Sequence, residues 1–295
     1  MSFLKRSSTP SDDQSSPTGQ PDLKKIWRAG SRTTRLAIFG VIAGAALSVP
    51  LGSPVLAKTH QQPAAAASTV DPDAIDAVKK MGAYLRSLKA FQVIGDITHD
   101  DVLEDGLIVK SDSKVDMLAA TPNRMRVEVT SDEKDRIYFY DGKNFTIFAK
   151  LVNYYATAPA PPTIVELFKK AEEKYDIDLP LIDLFKWGTN EDDINKIKTA
   201  VDVGPATVEG VTCEQYAFHQ EGVDWQLWIQ LGQYPLPRRL VITTLTDDAR
   251  PQHSITMSWN LAPSFNDEAF TFYPPEEAKR IILEGEDAPS AEKGK

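Results

Sequence analysis

The sequence has few of the residues that cross-link small exported proteins or hold metals. Its 295 residues include one cysteine, Cys213, and four histidines. A single cysteine cannot form an internal disulfide, so the fold must be stabilised by its hydrophobic core. We expect Cys213 to be a small buried side chain in a strand and not a reactive thiol.

Sequence patterns of catalysis are also missing. The chain has no glycine-rich phosphate loop and no G-x-S-x-G turn, and its histidines lack the spacing of a zinc motif. Acidic pairs at 100–101, 192–193 and 247–248 are explained by predicted turns rather than by a metal site or an acid/base pair. The sequence therefore predicts a protein that is not an enzyme and has no metal and no cofactor. An envelope enzyme with an unfamiliar site is an alternative.

Positive charge is scarce after the first 57 residues. Of 33 basic and 42 acidic residues, seven basic and three acidic ones lie in residues 1–57, which leaves 26 and 39 in the remainder. This net charge of about −13 repels phosphate groups, so nucleic-acid binding and adsorption to anionic lipid are not expected.

The first 57 residues are organised like an export signal. Residues 1–35 form a polar, basic leader that is predicted to be disordered, and residues 36–57 are uncharged and apolar. Val55 and Ala57 fit cleavage after Ala57. Alternatively, this segment is long enough to remain as an uncleaved anchor in the inner membrane. Both alternatives place the rest of the chain in the periplasm, with any membrane contact limited to residues 36–57.

The remainder is predicted to be one domain. Residues 58–70 read as an alanine- and glutamine-rich linker, residues 71–283 as a single α+β domain, and residues 284–295 as a disordered polar tail. The domain is expected to begin with a helix capped by Asp71. Pro274-Pro275 is expected to open a last short helix through Ile282.

Between these two helices the pattern is dominated by strands. Five or six strands come first and include a hairpin turn at Asp141-Gly142. Two helices follow, the first with a capping box formed by Thr163 and Glu166, and about five further strands complete the order. Strands in consecutive runs predict a strongly curved antiparallel sheet of about ten strands, with helices packed in its concave side.

Large apolar side chains recur on one face of the later strands. They alternate with polar residues over 223–231 and 253–261. They are either plain core or, together with helix residues, the lining of a cavity for an apolar ligand. The residues predicted to line it are Trp225, Leu227, Ile229, Met257, Trp259, Phe168 and Leu184. Trp228 lies on the polar face and is predicted to be a surface contact.

Several phrases in the domain resemble a known family. They are DLFKWGT at 183–189, VGPATVEGVTC at 203–213, VDWQLWIQ at 223–230, LPR at 236–238, WNLAP at 259–263, FTF at 270–272 and PP at 274–275. Over about 71–283 the chain resembles a bacterial family of predicted periplasmic proteins, a domain of unknown function. More distantly, the strand plan and the pattern formed by Asn260, Phe270, Phe272 and Pro274 resemble the LolA/LolB-like lipoprotein carriers.

The distant resemblance implies a half-open β-barrel that is capped by helices and holds acyl chains. No ligand-contacting residue of the carriers matches a position here. The sequence thus predicts a non-enzymatic periplasmic protein that binds a lipid, an acyl chain or a lipoprotein-like apolar ligand. The alternative is an envelope interaction module that binds a protein partner through a sheet edge or through Trp228.

Overall fold

The computed structural model describes residues 69–177, 179–187 and 194–283. The predicted leader, the uncharged segment at 36–57, residues 58–68 of the linker and the tail lie outside the described residues, as does the acidic pair at 192–193. The limits of the single domain, 71–283, stay a prediction. No helix of the described part is both long enough and apolar enough to cross a bilayer.

Three α-helices lie entirely within the described residues: α1 (Pro72–Ser87), α2 (Ile164–Tyr175) and α3 (Asp183–Lys186). The predicted caps are confirmed. The Asp71 carboxylate accepts from the Asp73 N–H at 2.9 Å, and Thr163 Oγ1 accepts from the Glu166 N–H at 3.2 Å while donating to Glu166 Oε2 at 2.9 Å. Each cap satisfies a backbone donor that the first helical turn leaves free.

The strands number twelve among the described residues, against about ten predicted. They are β1 (Ala90–Val102), β2 (Ile108–Ala120), β3 (Arg124–Ser131), β4 (Asp135–Tyr140), β5 (Asn144–Ala149), β6 (Tyr154–Pro159), β7 (Thr199–Val208), β8 (Val211–Gln220), β9 (Val223–Gln230), β10 (Pro237–Thr244), β11 (Gln252–Asn260) and β12 (Lys279–Ile281). The predicted hairpin at Asp141-Gly142 joins β4 to β5.

The predicted last helix is wrong. Residues 274–278 contain no helix, and Lys279–Ile281 pairs as β12 in parallel with Tyr154–Ala156 of β6; a 3-10 turn lies earlier, at Asp267–Phe270. The prolines favoured a helix start locally, but β6 offers an open edge that the later segment covers. Pairing with a strand so distant in sequence is invisible to local pattern.

All strands belong to one mostly antiparallel, curved and unclosed sheet, in the order β12-β6-β5-β4-β3-β2-β1-β11-β10-β9-β8-β7. Strands β1–β6 and β7–β11 are two meanders, and the antiparallel β1–β11 pair joins them. In that pair Gly95 lies opposite Met257 and His99 lies opposite His253. The first and last regions of the domain therefore meet at the middle of the sheet.

One core cluster receives a side chain from every strand. Its members include Val93, Met117, Val127, Tyr140, Ile147, Ala156, Ala200, Phe218, Leu227, Ile242, Met257 and Ile281. Alternate residues point to the inner face of the sheet, as period-2 patterning requires. Helices α1, α2 and α3 pack on the same cluster through residues such as Met81, Phe168 and Leu184. This layer between sheet and helices is the apolar interior.

The outer face is partly covered by the segment that follows β11. The Phe272 ring lies 5.4 Å from Phe139, 5.4 Å from Phe148 and 5.0 Å from Tyr155, centroid to centroid. These three partners project outward from β4, β5 and β6, between inward-facing residues. The F-T-F phrase that contributed to the family resemblance thus has a packing role on the outside of the sheet.

Candidate functional site

The seven residues predicted to line a cavity all belong to the core cluster or pack against it. Trp225, Leu227 and Ile229 come from β9, Met257 and Trp259 from β11, Phe168 from α2 and Leu184 from α3. Five of them are buried in the core cluster, and the two tryptophans are half-buried and pack against it. The predicted alternation of buried and exposed side chains along β9 and β11 is confirmed, because each strand buries one face. Their contact with a ligand stays a prediction.

Both tryptophans have satisfied indole N–H groups. The Trp225 ring stacks on Phe218 with centroids 3.9 Å apart, and its Nε1 donates to Gln220 Oε1 at 3.1 Å. Trp259 Nε1 donates to the Pro237 carbonyl at 2.8 Å, and its ring lies 5.5 Å from that of Phe91. Internal partners for the N–H are typical of tryptophans that belong to a core.

The one-turn helix α3 covers this part of the interior. Its Phe185 ring lies 5.9 Å from Phe91 on β1 and 5.2 Å from Phe168 on α2. Phe185 therefore bridges the sheet and the longer helix, although the sequence pattern did not select it. The sequence could have indicated Phe185, because it lies in the same predicted short helix as Leu184, which was predicted to line the cavity.

Trp228 lies on the outer face of β9, where it was predicted. It is half-buried and is opposite Gln215 on β8 and Arg239 on β10. The Arg239 guanidinium carbon lies 5.7 Å from the centre of the Trp228 ring, in cation–π geometry. The ring is thus part of a polar surface and leaves some apolar area in contact with water.

The sheet edge formed by β7 is apolar in part. Val201 and Val203 are 46% and 53% exposed, and β8 is the only strand of the described sheet that pairs with β7. A single parallel bridge from Val70 to Ala200 covers the beginning of this edge. Exposed edges of this kind can pair with an added strand.

A concave site lies elsewhere, at the far end of β1, β10 and β11. We call it the histidine pocket. Its volume is about 250 Å³, and it is lined by His99, Asp100, Val102, Leu103, Glu104, Thr244, Asp247, Pro251, Gln252 and His253. None of the seven predicted lining residues belongs to it. Period-2 phasing places His99 and His253 on the buried face of their strands, but only the register brings them together.

Asp100, which was predicted to lie in a turn, is in fact a buried residue of β1. Its carboxylate accepts from Lys110 Nζ at 2.6 Å and from the Gln252 N–H at 3.1 Å. Burial opposes ionisation, but these two hydrogen bonds outweigh it and lower the pKa of Asp100. Asp100 is therefore a charged structural tie between the β1–β2 hairpin and β11.

Chemistry elsewhere on the described chain is sparse. Cys213 is buried, as predicted, and burial raises the pKa of its thiol, which disfavours the reactive thiolate. Asp224 contacts two basic side chains. Its Oδ1 lies 2.6 Å from His219 Nδ1, and its Oδ2 accepts from Arg250 at 3.3 Å. Within the described ranges, no three histidine, cysteine or acidic side chains are grouped closely enough to hold a metal ion.

Solved structures with a similar chain path have low identity. Lipoprotein LppX of Mycobacterium tuberculosis is 13% identical with a TM-score of 0.42, covering 66% of this chain and 100% of that one. A LolA superfamily protein of Nitrosomonas europaea is 10% identical with a TM-score of 0.34, and the match covers 68% of this chain and 97% of that protein. A chain of the MucA/MucB complex of Pseudomonas aeruginosa is 14% identical with a TM-score of 0.38, and the match covers 68% of this chain and 61% of that chain.

Sequence comparison gives a more specific result. Among curated proteins, none matches the chain significantly. The model of one family, described as "Predicted periplasmic protein (DUF2092)", matches residues 74–284. This range includes every described helix and strand except the first two residues of α1, and it includes the phrases that suggested such a family. The chain belongs to the DUF2092 family of predicted periplasmic proteins.

Proposed function

We propose that the chain is a non-enzymatic periplasmic protein that binds a lipid, an acyl chain or another apolar ligand in its apolar interior. One observation carries the proposal. A continuous apolar face extends across the whole sheet, and at β1 it is covered by a helix of one turn, α3, through the contact of Phe185 with Phe91. An isolated helix of that length has almost no stability of its own, so its position depends on packing that a ligand can replace.

Several contacts hold α3 in place, among them an ion pair between Lys186 and Glu172 of α2. Phe185 contributes ring contacts to Phe91 and Phe168, Leu184 contributes its buried side chain, and Arg86 of α1 donates to the Trp187 carbonyl at the end of α3. If α3 moved outward, an acyl chain would contact Phe91, Trp259 and Phe168. Each methylene that leaves water contributes about 0.8 kcal/mol, which would compensate for the lost packing.

The first experiment is native mass spectrometry and solvent extraction of residues 58–295 purified from the periplasm of the native organism. A stoichiometric acyl lipid would support the proposal. A mass without ligand, together with no uptake of a fluorescent fatty acid, would overturn it.

A matched pair of variants tests the role of α3. Phe185→Ala removes the bridge between α2 and the sheet, and we expect it to increase the rate of fatty-acid uptake. Val165→Ala shortens an exposed side chain of α2 that is not part of the core cluster, and its uptake should equal that of the wild type. Equal rates for all three proteins would rule out α3 as the cover of the binding site.

A second candidate function is binding of a protein partner in the cell envelope. The exposed apolar part of the β7 edge favours it, and Trp228 supplies a second contact surface. We expect Val203→Lys to abolish capture of such a partner by an edge, and Trp228→Ala to abolish capture by the outer face. A partner that is retained by both variants would exclude these two surfaces.

The mode of export is a separate proposal. Cleavage after Ala57 would release a soluble chain beginning at Lys58, whereas retention of residues 36–57 would tether the domain to the inner membrane. N-terminal sequencing of the protein from fractionated cells distinguishes the two. A chain that begins at Lys58 in the periplasmic fraction supports cleavage, and an intact leader in the membrane fraction supports the tether.

A further inference from the structure

The histidine pocket continues the apolar interior at one end. On the inner face, His99 follows Ile97 on β1, His253 precedes Ile255 on β11, and Thr244 follows Ile242 on β10. β1 and β11 change from isoleucine to histidine at the same level of the sheet, and β10 changes to threonine one inner-face position further on, because Ile242 lies opposite His253. The result is a polar row at the boundary of an apolar layer.

Two buried polar atoms in this row have no hydrogen-bond partner within the described part of the chain. They are His99 Nδ1 and Thr244 Oγ1, and Thr244 is only 5% exposed. Buried polar groups in folded proteins are nearly always paired, because an unpaired one loses its hydration without compensation. A ligand that reaches both atoms would remove this penalty.

The unpaired histidine nitrogen is well placed to act as an acceptor. His99 Nε2 lies 3.8 Å from Asp101 Oδ1, whereas Nδ1 is buried and has no partner within the described residues. In the tautomer of a neutral imidazole that carries its proton on Nε2, Nδ1 is a hydrogen-bond acceptor. Since a hydroxyl oxygen also accepts, the pocket presents two buried acceptors to any donor that enters.

The charge of the lining selects the kind of donor. The lining includes the carboxylates of Asp100, Glu104 and Asp247 but no lysine or arginine. Lys110 neutralises Asp100, whereas Glu104 and Asp247 make no ion pair among the described residues. His253 is uncharged at neutral pH, because burial lowers its pKa to about 4. The site therefore favours a cation over an anion.

We propose that the histidine pocket binds a protonated primary amine, whose N–H donors face Thr244 Oγ1, His99 Nδ1 and the carboxylate of Glu104 or Asp247. A volume of about 250 Å³ is below that of sites for drug-sized molecules, so the pocket accommodates a small group. The ammonium belongs either to a free small amine or to the head of an amphiphile whose chain enters the apolar interior. The amphiphile source rests on the proposed function.

Histidine ring resonances in NMR spectra of the purified protein test this proposal. Titration with ethanolamine should shift the signals of His99 and His253 but not that of His219, which lies on the outer face. Ethanediol, the neutral analogue, should bind at least about tenfold more weakly, because it cannot pair with the carboxylates. Equal affinity for the two compounds would overturn the proposal.

Variants locate the site. Thr244→Val keeps the side-chain shape and removes the hydroxyl, and we expect a loss of ethanolamine affinity of about tenfold. Thr207→Val makes the same change at an exposed position of β7, far from the pocket, and should have no effect. If Thr244→Val fails to fold, Glu104→Gln in the exposed β1–β2 turn provides the same test by removing one negative charge. Unchanged affinity in the folded variants would contradict the proposal.

Dodecylamine, dodecanol and dodecanoate distinguish the two sources and separate the two proposals. Preferential binding of dodecylamine would support an amphiphile with an ammonium head. Binding of ethanolamine but of no dodecyl compound would support a free amine and would count against the proposed function. Equal binding of all three dodecyl compounds would support an apolar ligand and would overturn the amine site.

Discussion

At the scale of single residues, His253 links the histidine pocket to the pH dependence of stability. Burial, with a smaller contribution from His99, lowers its pKa from 6.5 to about 4. Between these values the unfolded chain binds more protons than the folded chain, so the free energy of unfolding falls as the pH decreases from about 6.5 towards 4. For this residue alone we expect a loss of about 2 kcal/mol between about pH 7 and about pH 4.5.

Urea unfolding of the wild type and of His253→Gln at both pH values measures this loss. The variant cannot take up the proton, so its stability should fall less by about the stated amount. Ile255→Val, which changes the next inner-face residue of β11 and leaves His253 in place, should keep the pH dependence of the wild type. Parallel curves for the wild type and His253→Gln would show that His253 is not held neutral by burial.

Gly95 is a second residue at which the surrounding side chains determine the effect of a substitution on stability. It lies on the inner face of β1, and an added Cβ would come within 2.6 Å of Ile255 Cδ1 and 2.8 Å of Val115 Cγ1. Both distances are shorter than normal contacts, so Gly95→Ala should destabilise the fold by about 1–3 kcal/mol through overpacking. The double variant with Ile255→Val, which lacks Cδ1, should recover part of this loss in a denaturant titration. No recovery would mean that the strain lies in the backbone.

At the scale of elements, the sequence was most informative where the signal is local. Asp71 and the Thr163–Glu166 box identify helix starts because a cap bonds to a backbone N–H two or three residues away. The turn at Asp141-Gly142 is local in the same way. By contrast, β12 depends on β6, and the histidine pocket depends on the register between β1 and β11. Such information is distributed over most of the chain, so local pattern could not supply it.

The packing of α1 against the end of α3 leads to an element-scale prediction. A Cβ at Gly82 would lie 2.3 Å from the Trp187 carbonyl oxygen, so the two helices approach this closely only with glycine here. Replacing glycine by alanine inside a helix normally stabilises it by about 1 kcal/mol. Because backbone atoms cannot yield as side chains do, we expect Gly82→Ala instead to destabilise the protein.

Thermal or urea unfolding determines the sign of this effect. Ala83→Gly at the exposed neighbouring position is the control, and it should destabilise by about 1 kcal/mol through helix propensity alone. Stabilisation by Gly82→Ala would show that α1 and α3 separate freely. Since α3 is the proposed cover of the apolar interior, that result would also imply easier entry of a ligand.

At the scale of the whole molecule, the sheet joins two meanders through β1 and β11. Sequence patterning predicted consecutive strands, an α+β fold and a shared apolar face, because alternation repeats in every strand. It did not indicate that the chain returns to pair its eleventh strand with its first. That pairing makes the two meanders parts of one sheet and one core, so they should unfold together.

The tryptophans allow a direct test of this cooperativity. In residues 58–295 all four of them, Trp187, Trp225, Trp228 and Trp259, lie after the first meander. Phe145→Leu alters a fully buried residue of β5 in the first meander and should cost about 1–2 kcal/mol. In a single cooperative unit, tryptophan fluorescence must report the same decrease in denaturant midpoint as circular dichroism, although no tryptophan lies near the substitution. A midpoint by fluorescence that stays at the wild-type value would mean that the second meander unfolds independently, and that β1–β11 pairing alone does not couple the two parts.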